Sequence, residues 1–369
     1  MSEISSWTCE HVKLAGLTGD RAPLIGAADI APVADALDLW DAWPVQMRDG
    51  FPLQLPGGDE IWMALASPRF DDPDARHGHA RIHLFRRAGP NWRHIGPAMP
   101  DGFSPGSREW SGSAIYDPED GIVTLYFTAA GRRGETELTF EQRLFSAQAT
   151  LDDAGACSGW CNLGELVVIE PAMYMETTTG GEIGTIKAFR DPSYFRDPVS
   201  GRHYQFFAAS IPGSASAYNG AVGVAIAPPD QPDSWRLMPP IVSADGVNNE
   251  LERPHVIRHD GHYYLFWSTQ RHVFNPDGPV GPTGLYGMVS NRLDGGWRPL
   301  NGSGLVFANP EQAPAQAYSW MVLPDLSVTS FADNWGGGPG RRFGGCFAPF
   351  LKLILDGDHA GLEQVYHAR

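Results

Sequence analysis

The sequence has few positive charges, few cysteines and no long apolar run. It holds 27 Lys and Arg against 43 Asp and Glu, so its formal net charge is −16. Nucleic acids and anionic membranes both bind clustered basic side chains, so this charge balance argues against either as a partner. No segment approaches the roughly 20 consecutive apolar residues of a membrane-spanning helix. Four cysteines in 369 residues are too few to build a disulfide scaffold.

The residues that are abundant favour a turn-rich, aromatic fold. The chain contains 43 Gly, 31 Pro and 12 Trp. Glycine and proline interrupt helices and form turns, and indole rings offer flat apolar faces against which a sugar ring packs. This composition suits an all-β carbohydrate protein, although a tryptophan-rich core would explain it equally well. A sugar carries no charge, so the net negative charge of the protein does not repel it.

A three-part pattern recurs along the chain: a segment with charged residues, a Gly/Asp turn, and an apolar β-rich strand. Clear copies occupy residues 107–128, 189–208 and 251–268, and looser copies occupy 39–66 and 318–331. A period near 70 residues fits four strands plus loops. The pattern therefore predicts one all-β domain over residues 1–369, a five-bladed β-propeller with a central funnel-shaped active site. The centres of the five copies are Asp41, Trp110, Asp191, Glu252 and Ser319.

Three of these centres are carboxylic acids in otherwise apolar or aromatic surroundings. Asp41 lies between Trp40 and Trp43, while Asp191 and Glu252 each adjoin an arginine. A buried charge costs several kcal/mol unless it is paired, so a structural salt bridge and a catalytic role both remain open. Glycoside cleavage gives the three acids a joint role, because it needs an attacking carboxylate and a proton donor. A third carboxylate can hold the sugar hydroxyls.

Four short motifs in order carry a resemblance to a known family. They are Trp40-Asp41-Ala42-Trp43-Pro44, Arg108-Glu109-Trp110-Ser111-Gly112, Phe189-Arg190-Asp191-Pro192 and Glu252-Arg253-Pro254-His255. In these motifs, and over nearly its whole length, the chain resembles glycoside hydrolase family 68 of the Gram-negative type, the levansucrases and β-fructofuranosidases. The resemblance implies a retaining enzyme that cleaves sucrose and transfers fructose to acceptors.

The resemblance also implies a set of site residues. Asp41 is expected to be the nucleophile, Glu252 the general acid and base, and Asp191 the transition-state stabiliser. No cofactor and no metal are expected. The expected partners are sucrose and the fructosyl acceptors, which are water, sucrose or a growing fructan. The expected substrate-binding residues are Trp40, Trp110, Ser111, Arg190, Glu250, Arg253, Gln270 and Tyr318.

Departures from the family pattern leave alternatives open. Residues 207–210 are Phe-Ala-Ala-Ser where relatives have an acidic sequence, and Gln270 stands where relatives place a His or Arg that guides acceptors. These changes favour hydrolysis or short-chain transfer over polymer synthesis. One alternative is therefore a β-fructofuranosidase that mainly hydrolyses sucrose, and another is a non-catalytic sugar-binding propeller. The first residues show neither the basic region nor the apolar region of a signal peptide, so a cleavable one is expected to be absent or already removed. Export without one is therefore expected, with the cytoplasm as the alternative.

Overall fold

The computed structural model describes residues 4–15, 19–176, 186–338 and 340–363, and their regular structure is mostly β. One α-helix, α1 (Cys9–Ala15), lies near the start of these residues. The 3-10 helices span Ala27–Asp29, Pro73–His79, Arg271–Val273 and Leu300–Gly302. The prediction of a mostly-β chain is thereby confirmed.

The strands follow one another with short connections. In chain order they are β1 (Ser5–Ser6), β2 (Asp20–Arg21), β3 (Leu37–Gln46), β4 (Glu60–Pro68), β5 (Arg81–Ala88), β6 (Asn91–Pro97), β7 (Arg108–Asp117), β8 (Ile122–Ala130), β9 (Gln142–Leu151), β10 (Cys157–Val167), β11 (Phe189–Arg196), β12 (His203–Ser210), β13 (Gly220–Ala227), β14 (Arg236–Ser243), β15 (Glu252–His259), β16 (His262–Thr269), β17 (Gly284–Ser290), β18 (Arg298–Pro299), β19 (Leu305–Ala308), β20 (Ala317–Val322), β21 (Ser327–Asn334), β22 (Phe343–Phe347), β23 (Leu351–Asp356) and β24 (His359–Leu362).

These strands form antiparallel meanders, which are grouped in four sheets within the described residues. The first and second meanders, β3–β6 and β7–β10, share one eight-stranded sheet because β3 pairs in parallel with β7. The third meander is β11–β14, and the fourth is β15–β17 with β19. The fifth is built around β20, β21 and β23. The four sheets are not joined into one closed ring of hydrogen bonds within the described residues.

The first strand of every meander carries a β-bulge at the same place. The pairing of these strands with their neighbours shifts register at Trp40/Trp43 in β3, Trp110/Gly112 in β7, Arg190/Ser193 in β11, Glu252/His255 in β15 and Tyr318/Met321 in β20. A bulge places two residues opposite one and turns a side chain out of its regular direction. Each copy of the sequence repeat therefore corresponds to one meander whose first strand carries a bulge.

Four of the five bulges hold a residue in the left-handed backbone region, which non-glycine residues rarely adopt. These residues are Asp41 (φ 47°), Asp191 (φ 63°), Arg253 (φ 48°) and Ser319 (φ 60°). Arg253, and not Glu252, thus occupies the position in the fourth meander that corresponds to Asp41 and Asp191. The repeat centre assigned to Glu252 from the sequence is displaced by one residue, because alternate neighbours at a bulge face different sides.

The N-terminal segment connects to sheets that follow much later in the chain. β1 pairs in parallel with β14, and β2 pairs in parallel with β19. Trp7 is fully buried, and its indole nitrogen donates to the carbonyl oxygen of Ser303 at 2.9 Å. Its ring meets Trp267 edge-on, with centroids 5.4 Å apart. The start of the described chain therefore stabilises the third and fourth meanders.

Two further features concern the whole chain. All four cysteines are free thiols, so no disulfide contributes to the stability of the fold. Among the described residues, none of the helices combines the length and apolar character that crossing a membrane requires. The fold is therefore held by its sheets and by aromatic packing between them. Fully buried rings of this core include Trp43, Trp62 and Trp320.

Candidate active site

The bulged first strands of the meanders surround one cavity of about 570 Å³. Because each bulge turns polar side chains toward this cavity, acids that are distant in the sequence meet there. All three predicted catalytic acids and seven of the eight predicted substrate-binding residues line it. They are Trp40, Asp41, Trp110, Ser111, Arg190, Asp191, Glu250, Glu252, Gln270 and Tyr318.

Asp41 faces the cavity from the left-handed position of β3. Burial raises the pKa of its carboxyl group, while the charge of Arg253 and a hydrogen bond from the Ser319 hydroxyl act in the opposite direction. Both of these neighbours favour the ionised carboxylate. An ionised carboxylate in an apolar, enclosed setting is a competent nucleophile. The surroundings of Asp41 therefore suit the attacking role.

Arg253 is the one predicted substrate-binding residue that does not line the cavity. Its Nη1 donates to the Ser319 hydroxyl oxygen at 2.9 Å, and its Nη2 donates to the Ala42 carbonyl oxygen at 2.8 Å. The bulge directs this buried side chain behind the wall while its neighbour Glu252 faces the cavity. Arg253 therefore joins the first, fourth and fifth meanders, and its charge acts on Asp41 from behind the cavity wall.

Asp191 is held by hydrogen bonds from the second meander. The Ser111 hydroxyl donates to its Oδ1 at 2.6 Å, and its own backbone N–H donates to the Thr128 hydroxyl oxygen at 2.8 Å. Burial raises the pKa of this carboxyl group to about 7, although the adjacent Arg190 and the Ser111 hydrogen bond oppose the rise. Asp191 is therefore fixed in place and is close to its protonation midpoint at neutral pH.

Arg190 is the cation that several of the cavity acids share. Its Nη2 lies 2.8 Å from Glu252 Oε1 and 3.6 Å from Glu250 Oε1, and its Nε lies 3.6 Å from Asp191 Oδ2. Burial lowers the pKa of this guanidinium, but the three carboxylates outweigh burial and raise it above its ordinary value. Arg190 therefore stays charged and holds the acids in a fixed arrangement.

Glu252 lies between two hydrogen-bond donors. Besides the Arg190 contact, it accepts a hydrogen bond from the Tyr318 hydroxyl. Burial and the neighbouring Glu252 charge raise the pKa of Tyr318, so the phenol keeps its proton. Burial, followed by the Glu252 charge, also raises the pKa of Glu250 to about 8. Burial and the Glu252 charge thus both favour the protonated form of Glu250.

The comparisons with known proteins decide the family. The model of glycoside hydrolase family 68, described as levansucrase/invertase, matches residues 11–219 and 209–368. The chain belongs to this family. The levansucrase of Rahnella aquatilis is 32% identical over 379 residues, which cover 92% of this chain and 89% of the relative. The family 68 resemblance inferred from the motifs is thereby confirmed.

Two further family 68 proteins support the assignment. The levansucrase of Erwinia amylovora is 32% identical over 375 residues, covering 90% of this chain and 88% of that protein. The solved inulosucrase of Halalkalicoccus jeotgali, bound to kestose, superposes with a TM-score of 0.86 at 35% identity. That alignment covers 98% of this chain and 95% of the inulosucrase. The chain is therefore an enzyme of the sucrose-acting fructosyltransferase and glycoside hydrolase class.

The family 68 cavity also contains residues that the sequence reasoning missed. They are Asp74, Arg76, His77, Asp333 and Arg341. His77 meets the Trp40 ring edge-on, with centroids 6.0 Å apart, and burial lowers its pKa to about 3, so the imidazole is neutral. Within the described part of the chain, no three His, Cys, Asp or Glu side chains are grouped as metal ligands. In the sequence, the only signal for these residues was the pair Arg76-His77, which joins two polar side chains that can bind a ligand.

Proposed function

We propose that this protein cleaves sucrose by a retaining mechanism in which Asp41 and Glu252 act on opposite sides of one glycosidic bond. Asp41 attacks fructosyl C2 while Glu252 donates its proton to the glycosidic oxygen, so the C2–O bond breaks and glucose leaves. A covalent fructosyl–Asp41 ester remains. Glu252 then takes a proton from the acceptor, whose oxygen attacks C2 and releases Asp41.

The observation that carries this proposal is that Asp41 and Glu252, 211 positions apart in the sequence, line the same cavity. Their surroundings differ in the way the mechanism needs. Arg253 and Ser319 support the charge of Asp41, whereas Glu252 lies beside the acids Glu250 and Asp191. Two carboxyl groups with different environments are the usual basis for separate nucleophile and acid roles.

The remaining cavity residues supply binding in this proposal. Asp191, oriented by Ser111, accepts hydrogen bonds from ring hydroxyls of the fructosyl unit and stabilises the positive charge that develops on its ring. Trp40 and Trp110 provide apolar faces for the sugar. Arg190, which already contacts Glu252, orients that residue toward the glycosidic oxygen.

We further propose that water and sucrose are the main acceptors, so that hydrolysis and short products dominate. The mouth of the cavity carries the neutral side chains of Gln270 and Thr283 next to His272. Gln270 and Thr283 therefore offer a long acceptor chain no charged group. Equal amounts of free glucose and fructose would indicate hydrolysis, and a fructose deficit would measure transfer.

We infer that the five meanders are the blades of a five-bladed β-propeller. In support, each meander begins with a bulged strand, and residues from all five meet at one cavity. A radial arrangement is the architecture in which innermost strands of successive sheets border one channel.

The deciding experiment compares the wild type with Asp41→Asn on sucrose. We expect the wild type to release glucose and the variant to lose about 10⁴-fold in kcat, because an amide cannot form the fructosyl ester. Retained cleavage by a folded Asp41→Asn variant would contradict the mechanism. A wild type that binds sucrose without releasing glucose would instead support a non-catalytic sugar-binding protein.

A further inference from the structure

Four charged residues form an ion cluster in the cavity wall beside Trp40. Arg76 Nη1 lies 3.1 Å from Asp74 Oδ1, and Arg341 pairs with the second oxygen of Asp74. Asp333, at the end of β21, lies 3.8 Å from Arg341 Nη2 through its Oδ1. The cluster joins the 3-10 helix Pro73–His79 of the first meander to the fifth meander.

Two atoms of this cluster are buried without a hydrogen-bond partner among the described residues. They are Arg76 Nε and Asp333 Oδ1. The Arg76 side chain is only 6% exposed, and the 3.8 Å between Asp333 and Arg341 is too long for a hydrogen bond. An unsatisfied buried polar group costs about 1–3 kcal/mol and is rare in native proteins. Asp333 also lines the cavity, and its side chain is 14% exposed, so its carboxylate group can reach a polar ligand there.

The position of the cluster identifies the part of the ligand that it faces. The Arg76 guanidinium carbon lies 5.5 Å from the centre of the Trp40 ring. Asp41 is close enough to Asp333 for its charge to raise the pKa of Asp333. Glu252, in contrast, contacts Arg190 and Tyr318. The cluster is therefore on the nucleophile side of the cavity. A group bound there belongs to the fructosyl unit and not to the departing glucose.

We propose that Asp333 accepts a hydrogen bond from a primary hydroxyl of the fructosyl unit, with Arg76 and Arg341 holding its carboxylate. This assignment rests on the proposed function. Because Asp191 serves the ring hydroxyls there, the fructosyl groups left for a second carboxylate are its two CH₂OH arms. A carboxylate accepts such O–H donors strongly, and a fixed one discriminates against sugars that lack the hydroxyl.

The test removes the hydroxyl from the substrate and the carboxylate from the protein, separately and together. We expect the wild type to lose about 10- to 100-fold in kcat/KM with either 1′-deoxysucrose or 6′-deoxysucrose, and Asp333→Ala, which has no acceptor atom in its side chain, to lose a similar factor with sucrose. With both changes together, the loss should hardly exceed either one alone, because the same hydrogen bond is missing.

Asp74→Ala is the matched control, since it alters the same ion cluster without removing the proposed acceptor. In that variant, removing the hydroxyl from the substrate should lower kcat/KM by the same factor as in the wild type. Losses that multiply for both deoxysucroses in Asp333→Ala would overturn the proposal. If Asp333→Ala does not fold, equal wild-type rates on sucrose and both deoxysucroses would overturn it as well. A wild type without any sucrose cleavage would instead refute the proposed function.

Discussion

At the residue scale, the cavity holds more acids than cations. Asp191, Glu250 and Glu252 surround Arg190, while Asp41 also lines the cavity and Arg253 lies behind its wall. Burial raises the pKa of Asp191 and that of Glu250, and the charge of Glu252 raises both further, while Arg190 opposes the rise. Keeping these acids together in a buried cavity therefore costs stability as the pH rises.

We predict that Asp191→Asn abolishes most activity but stabilises the fold. The folded-state pKa of Asp191 is raised to about 7. The stability that its carboxyl group contributes is therefore complete below its unfolded pKa and is lost as pH rises toward 7. The amide does not ionise, so the gain in unfolding free energy should reach about 1–4 kcal/mol at pH 8 and fade near pH 4. Chemical denaturation at both pH values measures it. A variant that is less stable at pH 8 would contradict this account.

Ser319→Ala tests how Asp41 is kept ionised. The Ser319 hydroxyl is one of the groups that oppose the burial-driven rise in the pKa of Asp41. Its removal should raise that pKa further, so that activity on the acid side is lost at a higher pH. We expect about a 10-fold loss of kcat/KM, consistent with one hydrogen bond to a charged group. The pH profile of sucrose cleavage measures the shift. Ser327→Ala, on the neighbouring strand β21, should leave the profile unchanged.

At the element scale, the bulged first strands place the functional side chains and depend on close backbone contacts. Gly112 in β7 follows the bulge at Trp110, and a Cβ there would lie 1.9 Å from the Tyr126 carbonyl oxygen. Gly112→Ala should therefore destabilise the protein by about 2–4 kcal/mol, since backbone must move. Gly164→Ala in β10, where a Cβ would have no neighbour within 4 Å, is the control. Equal unfolding midpoints for the two variants would contradict this interpretation.

The bulges also explain which features of the fold and the site could be predicted from the sequence and which could not. The recurring strand pattern was enough to predict a mostly-β chain and the convergence of Asp41, Asp191 and Glu252 on one cavity. The side on which each neighbour of a bulge lies was not predictable, because one extra residue reverses the alternation along a strand. Arg253 was for that reason expected to line the cavity, whereas its side chain lies behind the wall and bonds Ser319 and the Ala42 carbonyl. Asp333 was missed because it lies at the end of a second strand, outside the repeated motif.

At the scale of the whole molecule, the protein carries a net charge of −16 whereas its sugar substrate is neutral. A sugar without charge is not steered by the field of the protein, so its association should not depend on salt. We predict that kcat/KM for sucrose changes less than about 2-fold between 20 mM and 500 mM NaCl, over which the Debye length falls several-fold. Initial-rate measurements at low sucrose concentration check this. A steep decrease with salt would show that a charged group of the ligand takes part.

The parts of the catalytic centre come from strands that are far apart in the order of synthesis. Asp41 belongs to β3, Glu252 to β15, and Tyr318 and Ser319 to β20. A ribosome has thus produced most of the polypeptide before the nucleophile meets the serine that supports its charge. A truncated or cleaved chain that lacks β20 therefore lacks Tyr318 and Ser319 and has an incomplete catalytic centre.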